Sequence, residues 1–364
     1  MKYWLIIPLI LVTSSGPLAA QGAPSQDAPT QEAHYDLRYT LAVIDDATLY
    51  SNLQVPAPIE LNQILMEPTV NVRYLQRWSF SSSLVGIADT YTDTYTQLRV
   101  KEVYAGLSAG DFDFTAGRRI VRWGTGYAFT AAGVLDPPRI PTNPTDRLNL
   151  NEGRDMIKAD YDHGAQAFSL AWSTAALAPA SANLHDTTAF RYNILMHGFD
   201  TSLIAGDDRG GDAFGGLTFT RVFGAAWELH GEAAWREHEA VLLGAKYTTN
   251  SGITFIGEFF TAPNIPYYQD VTFIPLNGRQ HYLFLRAGKS RLRDLPGWKQ
   301  WDISISTVAN LNDRSYTAVL DANRRFGNHF SSYLHMEIPA GRPTSEYGST
   351  PYSAATSVGI RFQL

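Results

Sequence analysis

The chain has 364 residues, with 29 basic and 35 acidic side chains, a net charge of −6, 45% apolar residues and no cysteine. That composition excludes a disulfide scaffold, a thiolate zinc site, an iron–sulfur cluster and covalently attached c-type haem, all of which need cysteine. A negative balance without a basic tract argues against a nucleic-acid partner, and a mean hydropathy of −0.17 with no second long apolar run excludes a bundle of membrane helices.

Met1-Lys2-Tyr3 carries one positive charge, Trp4 to Val12 is apolar, and Leu18-Ala19-Ala20 offers small residues before Gln21. This order predicts a secretory signal peptide over 1–20. Residues 21–33 are rich in Pro, Gln, Ala and Ser and predict a disordered periplasmic linker. From His34 onward apolar and polar residues alternate. Tyr35, Leu37, Tyr39, Leu41 and Val43 interleave with Asp36, Arg38 and Thr40, and Val358, Ile360, Phe362 and Leu364 with Ser357, Gly359, Arg361 and Gln363. Period-two alternation presents one face to an apolar medium and the other to a polar one.

In chain order the pattern predicts strands at 34–43, 66–77, 79–91, 96–107, 111–122, 153–162, 165–175, 187–196 and 199–207. It continues at 212–222, 225–236, 239–248, 252–262, 278–288, 300–310, 314–325, 328–338 and 352–364. Tight turns containing Gly or Asn, such as Gly110-Asp111, His163-Gly164 and Gly327-Asn328, close one end. Longer connections at 44–65, 123–152, 176–187, 263–277 and 339–351 lie at the other. The fold class is therefore all-β, a transmembrane antiparallel up-and-down β-barrel of about 18 strands over 34–364, with both termini periplasmic. Sixteen strands is the alternative, with the hairpin around His197 read as a bent strand. Tyr91, Trp123, Tyr161, Tyr247 and Tyr282 fall near strand ends, where aromatic rings favour a membrane interface.

If the apolar set faces lipid, the complementary set faces the lumen. The pore-lining or constriction candidates are Glu102, Tyr104, Arg119, Arg139, Arg147, Arg154, Lys158, Asp160, Glu228, His230, Glu232, Lys246, Glu258 and Arg286. The connection 123–152 carries Pro137, Pro138, Pro141 and Pro144, which stiffen it. It is long enough to fold inward as a constriction or to cover the mouth as a lid. Arg118, Arg119, Arg122, Arg139, Arg147 and Arg154 would form a basic patch beside it, suited to anionic or carboxylated solutes. Glu228, His230 and Glu232 share one face, but no nucleophile accompanies them, so a charge-paired wall outweighs a catalytic site. Gly124-Thr125-Gly126 lacks the Lys and helix of a phosphate loop, and the nine histidines give no zinc spacing. No enzyme, metal or cofactor is expected.

Two stretches carry a family resemblance. Ser353 to Leu364 resembles the C-terminal strand of bacterial outer-membrane proteins, with Phe362 aromatic but Leu364 last instead of Phe. Glu102-Val103-Tyr104, Gly117-Arg118-Arg119, Trp123-Gly124-Thr125-Gly126, Asp136-Pro137-Pro138 and Glu152-Gly153 resemble porin-like barrels related to alginate-export channels and to the barrels of porin–cytochrome conduits. The resemblance implies an outer-membrane channel for passive diffusion of small polar solutes. Its alternative is a sheath around a multihaem cytochrome or a secreted polysaccharide. The implied partners are outer-membrane lipid and lipopolysaccharide, the barrel-assembly machinery, and for a sheath a periplasmic or extracellular partner in the lumen. A homo-oligomer is compatible with either reading.

Overall fold

The computed structural model describes residues 35–54, 60–89, 95–145, 147–175, 186–208, 212–236, 239–263, 278–292 and 298–364. The signal-peptide and linker predictions over 1–33, and Tyr91, lie outside the described residues. Among those described, eighteen strands form one sheet. They are β1 (Tyr35–Ser51), β2 (Glu60–Tyr74), β3 (Trp78–Asp89), β4 (Tyr95–Ala109), β5 (Phe112–Arg119), β6 (Arg154–His163), β7 (Gln166–Thr174), β8 (Thr187–Met196) and β9 (Phe199–Asp208). The second half comprises β10 (Asp212–Phe223), β11 (Trp227–Trp235), β12 (Glu239–Thr248), β13 (Ile253–Pro263), β14 (Arg279–Lys289), β15 (Trp301–Asn310), β16 (Ser315–Phe326), β17 (Phe330–Ala340) and β18 (Ala354–Gln363).

Each strand pairs antiparallel with its sequence neighbours, and β1 pairs with β18 from Ala42↔Gln363 to Ser51↔Ala354. That seam closes the barrel, so no sheet edge is left along it. The chain does turn at His197, where His197 and Gly198 have φ of 52° and 78°. Eighteen strands therefore stand and the sixteen-strand alternative falls. β1 and β2 run further than the alternation predicts, to Ser51 and back from Glu60, so the 44–65 connection shrinks to 52–59.

The outside of the barrel is apolar. Leu37, Phe80, Leu98, Phe114, Ile157, Leu170, Leu203, Leu243, Ile305 and Ile360 are all exposed, each alternating with residues turned inward. Such a continuous apolar belt far exceeds the patches that water-soluble monomers expose, and it suits hydrocarbon. Near the short turns aromatic rings meet across strands on this face: Phe112 with Tyr161, Phe168 with Tyr192, Trp227 with Tyr247, and Phe330 with Phe362. Tyr161 and Tyr247 thus join an aromatic girdle. Trp123 and Tyr282 do not, because both point into the barrel and are buried, at 3% and 1% exposure.

Candidate functional site

The interior is organised by the connection between β5 and β6. Gly117 has φ +126°, and a Cβ there would lie 2.3 Å from the Val103 carbonyl oxygen, so only glycine fits. Two residues after it β5 ends, and the Ile120 amide donates to the Glu102 carboxylate at 2.8 Å instead of to a strand partner. The chain leaves the wall and re-enters it at Gly153, whose amide donates to the Lys101 carbonyl at 2.9 Å. Residues 120–153 fold into the lumen and do not form an external lid.

Three apolar contacts seat this loop on different sectors of the wall. Val121, Trp123, Ala132 and Leu135 pack on Met156, Ala171, Ala189, Ile204 and Phe214. At the tip Ala128 and Phe129 pack on Leu242, Ile256, Phe260, Tyr282, Phe284 and Val308, with the Phe129 and Phe260 rings stacked at 4.9 Å. On the return, Leu148 and Leu150 lie against Ile44, Leu65, Val85, Ile87 and Tyr333. The wall residues under the loop are apolar although they face inward, because burial and not water decides their chemistry there.

Buried carboxylates fasten the tip. One Glu232 oxygen accepts the Thr125 and Gly126 amides at 2.5 and 2.9 Å. The other accepts the Ala131 and Ala132 amides at 2.6 and 2.8 Å and the Thr130 hydroxyl at 2.9 Å. Glu258 accepts the amides of Tyr127, Ala128 and Phe129 and the Nε2–H of His230, which is 3.0 Å away. Successive amides curling around an anion form a nest, and here the anion belongs to the wall. Tyr127 donates its hydroxyl proton to Glu228 at 2.8 Å, and Lys246 donates to both at 3.0 and 3.2 Å. Arg139 donates to the Gly126, Tyr127 and Gly124 carbonyls and to Asp136, bracing the tip from within.

The return leg is fixed the same way. Arg147 donates to Asp46 at 2.9 Å and lies over the Tyr333 ring, while Arg361 donates to the Arg147 carbonyl at 2.8 Å. Asn149 donates to Glu67, which also accepts Lys101 at 2.6 Å. A second loop, 341–353, closes over this assembly. Tyr347, in a short 3₁₀ turn (Tyr347–Ser349), joins the core around Phe129. Glu346 accepts from Tyr282 at 2.8 Å and Asn310 at 2.7 Å. Burial pushes the Glu346 carboxyl up to about 7, against the opposing pull of those two donors.

The fourteen candidates thus separate into two groups. Glu102, Arg139, Arg147, Glu228, His230, Glu232, Lys246 and Glu258 hold the loop or belong to it. Tyr104, Arg119, Arg154, Lys158, Asp160 and Arg286 lie on the wall away from its tip. Lys158 pairs with Asp160, Arg286 donates to Ser304 at 3.1 Å, and Arg119 stands directly across the ladder from Arg154. The six-arginine patch is not one cluster: Arg118 pairs with Asp155 at 2.6 Å, and Arg139 and Arg147 are engaged within the loop assembly.

Toward the short-turn end the lumen opens into a recess of about 470 Å³ whose lining includes Asp36, Arg38, Asn71, Arg73, Tyr104, Asp113, Arg119 and Asp160. Arg119 donates to Thr115 at 3.3 Å and lies 5.0 Å from the centre of the Tyr104 ring. Among the described residues, neither Arg73 nor Arg119 has a carboxylate within ion-pair distance, whereas Arg38 pairs with Asp36. Asp46, Glu67 and Arg73 escaped the sequence-based selection. Asp46 and Glu67 fall in the stretch read as a loop or at its edge, and the alternating strand containing Arg73 was the only signal for it.

Solved structures with this architecture are outer-membrane porins. Pseudomonas aeruginosa OccK2 (OpdF) aligns with a TM-score of 0.64 at 9% identity, over 90% of this chain and 98% of its own. The chain has the porin barrel fold. Pseudomonas aeruginosa OccK11 (OpdR) aligns at a TM-score of 0.62 and 10% identity, over 90% of this chain and 96% of its own. OpdK of the same organism, solved with vanillate, aligns at 0.62 and 7%, over 90% and 98%. No family model matches the chain, and no curated protein matches it significantly.

Proposed function

We propose that this barrel lies in the bacterial outer membrane with both termini in the periplasm, and that it passes small polar, anionic solutes by passive diffusion. The observation that carries the reading is the inward fold of 120–153. It narrows a lumen in which one recess keeps Arg73 and Arg119 without a carboxylate in ion-pair distance among the described residues. A guanidinium with its donors unspent by protein acids attracts carboxylates, and the Tyr104 ring beside Arg119 offers an apolar surface next to that charge. The OpdK structure with vanillate, an aromatic carboxylate, supports this choice of solute class. The channel performs no chemistry, and solutes move down their gradients.

A loop occupying the lumen favours small solutes over a threaded cytochrome or polysaccharide. Liposome swelling tests the reading. Proteoliposomes should swell faster in a small dicarboxylate than in a diamine of equal length. Equal rates would remove the anion preference, and no swelling with either would remove the channel.

A further inference from the structure

The outer wall carries one motif twice. In β10, Arg221 is followed two residues later by Phe223, and directly across the ladder stands Phe199, the first residue of β9. In β16, Arg324 is followed two residues later by Phe326, and across from it stands Trp301, the first residue of β15. The Arg221 guanidinium lies 4.3 Å from the Phe199 ring centre and 4.5 Å from that of Phe223. The Arg324 guanidinium lies 5.6 Å from Trp301 and 4.7 Å from Phe326.

Both arginines share the outward parity of their strands, with exposed Leu217 and Tyr316, and both sit beside the short turns within the aromatic girdle. Neither has a carboxylate within ion-pair distance among the described residues, and Nε of Arg324 is buried without a hydrogen-bond partner. Rings beside a guanidinium stabilise its charge but satisfy none of its in-plane N–H donors. At the edge of a bilayer the group that supplies paired acceptor oxygens and a negative charge is the lipid phosphate.

We propose that Arg221 and Arg324 are two binding sites for the phosphate of anionic phospholipids, in the leaflet at the short-turn end. The inference rests on the membrane reading above, and on that reading the leaflet is the periplasmic one. The rings lie beside each guanidinium, and its terminal N–H groups receive the phosphodiester. The two sites lie six strands apart, at β10 and β16, so they would hold separate lipids at one level of the wall.

Native mass spectrometry of the full-length barrel in detergent, titrated with phosphatidylglycerol or phosphatidylcholine, tests this. The unaltered chain should retain two phosphatidylglycerol molecules, with each site favouring that lipid about fivefold. Arg221→Gln and Arg324→Gln should each remove one, and the double variant should bind both lipids equally. Retention unchanged in the variants overturns the proposal, as does displacement of the lipid by inorganic phosphate. The unaltered chain gives a second readout should the variants fail to fold. Brominated phosphatidylglycerol should quench tryptophan fluorescence, with Trp301 beside Arg324, more than brominated phosphatidylcholine, and equal quenching also overturns the proposal. A chain that stayed dispersed without detergent and bound neither lipid would instead refute the membrane reading.

Discussion

Glu232→Gln is the sharpest perturbation of the loop. The native carboxylate presents an acceptor to each of two amide pairs, Thr125 with Gly126 and Ala131 with Ala132. A glutamine keeps one carbonyl oxygen and turns an NH₂ donor toward the other pair. Two buried amides then lose their acceptor, each at about 1–3 kcal/mol. Taking about 3 kcal/mol in total, the ratio of undocked to docked loop rises on the order of a hundredfold. The strands are untouched, so the barrel should remain folded. Arg139 and Arg147 are trypsin sites inside the loop, and where reclosure outpaces cleavage the cutting rate follows the undocked population. Cleavage at these sites, followed by mass on the folded barrel, should accelerate by that factor. A cutting rate equal to that of the unaltered chain would refute the assignment of Glu232 as the clasp.

Three further outcomes are expected. Phe129→Ala removes a fully buried ring from the tip and should cost about 3–5 kcal/mol of loop docking, seen as accelerated amide exchange across 120–153 in the folded barrel. Arg73→Gln combined with Arg119→Gln should move the reversal potential in a salt gradient toward cation preference. Docking of the 341–353 loop should depend on pH. Because the docked Glu346 carboxyl is raised from 4.5 to about 7, docking is strongest below pH 4.5 and weakens as pH rises through 7. The loss is on the order of 3 kcal/mol. Amide exchange in 341–353 should therefore speed up between pH 5 and 8 beyond its intrinsic rate, and Glu346→Gln should abolish that extra dependence.

The strands were legible because lipid outside and water inside impose a strict two-residue period. The pattern failed where the loop replaces that water. Ile44 faces inward but is apolar under Leu148 and Leu150, while Asp45 is exposed on the outward parity. The inverted pair reads as the end of a strand, although β1 continues to Ser51. The same inversion produces unbroken apolar runs at Leu242-Leu243 and Phe259-Phe260, whose inward members carry the loop tip.

The site was only half legible. Glu228, His230, Glu232 and Glu258 were identified as inward-facing from alternation, but the work of Glu232 and Glu258 as acceptors for backbone amides depends on contacts a hundred or more residues apart, such as Thr125 with Glu232. The signal available was the loop's own apolar content: Val121, Trp123, Phe129 and Leu135 need a core, and the lumen supplies it.

Single-channel recording of the unaltered protein in a planar bilayer under a salt gradient is the most direct test of the central claim. The account predicts small, discrete conductance steps with a reversal potential on the anion side. A wide, unselective conductance would contradict a lumen narrowed by the 120–153 loop, and a folded barrel that never conducts would contradict the channel itself.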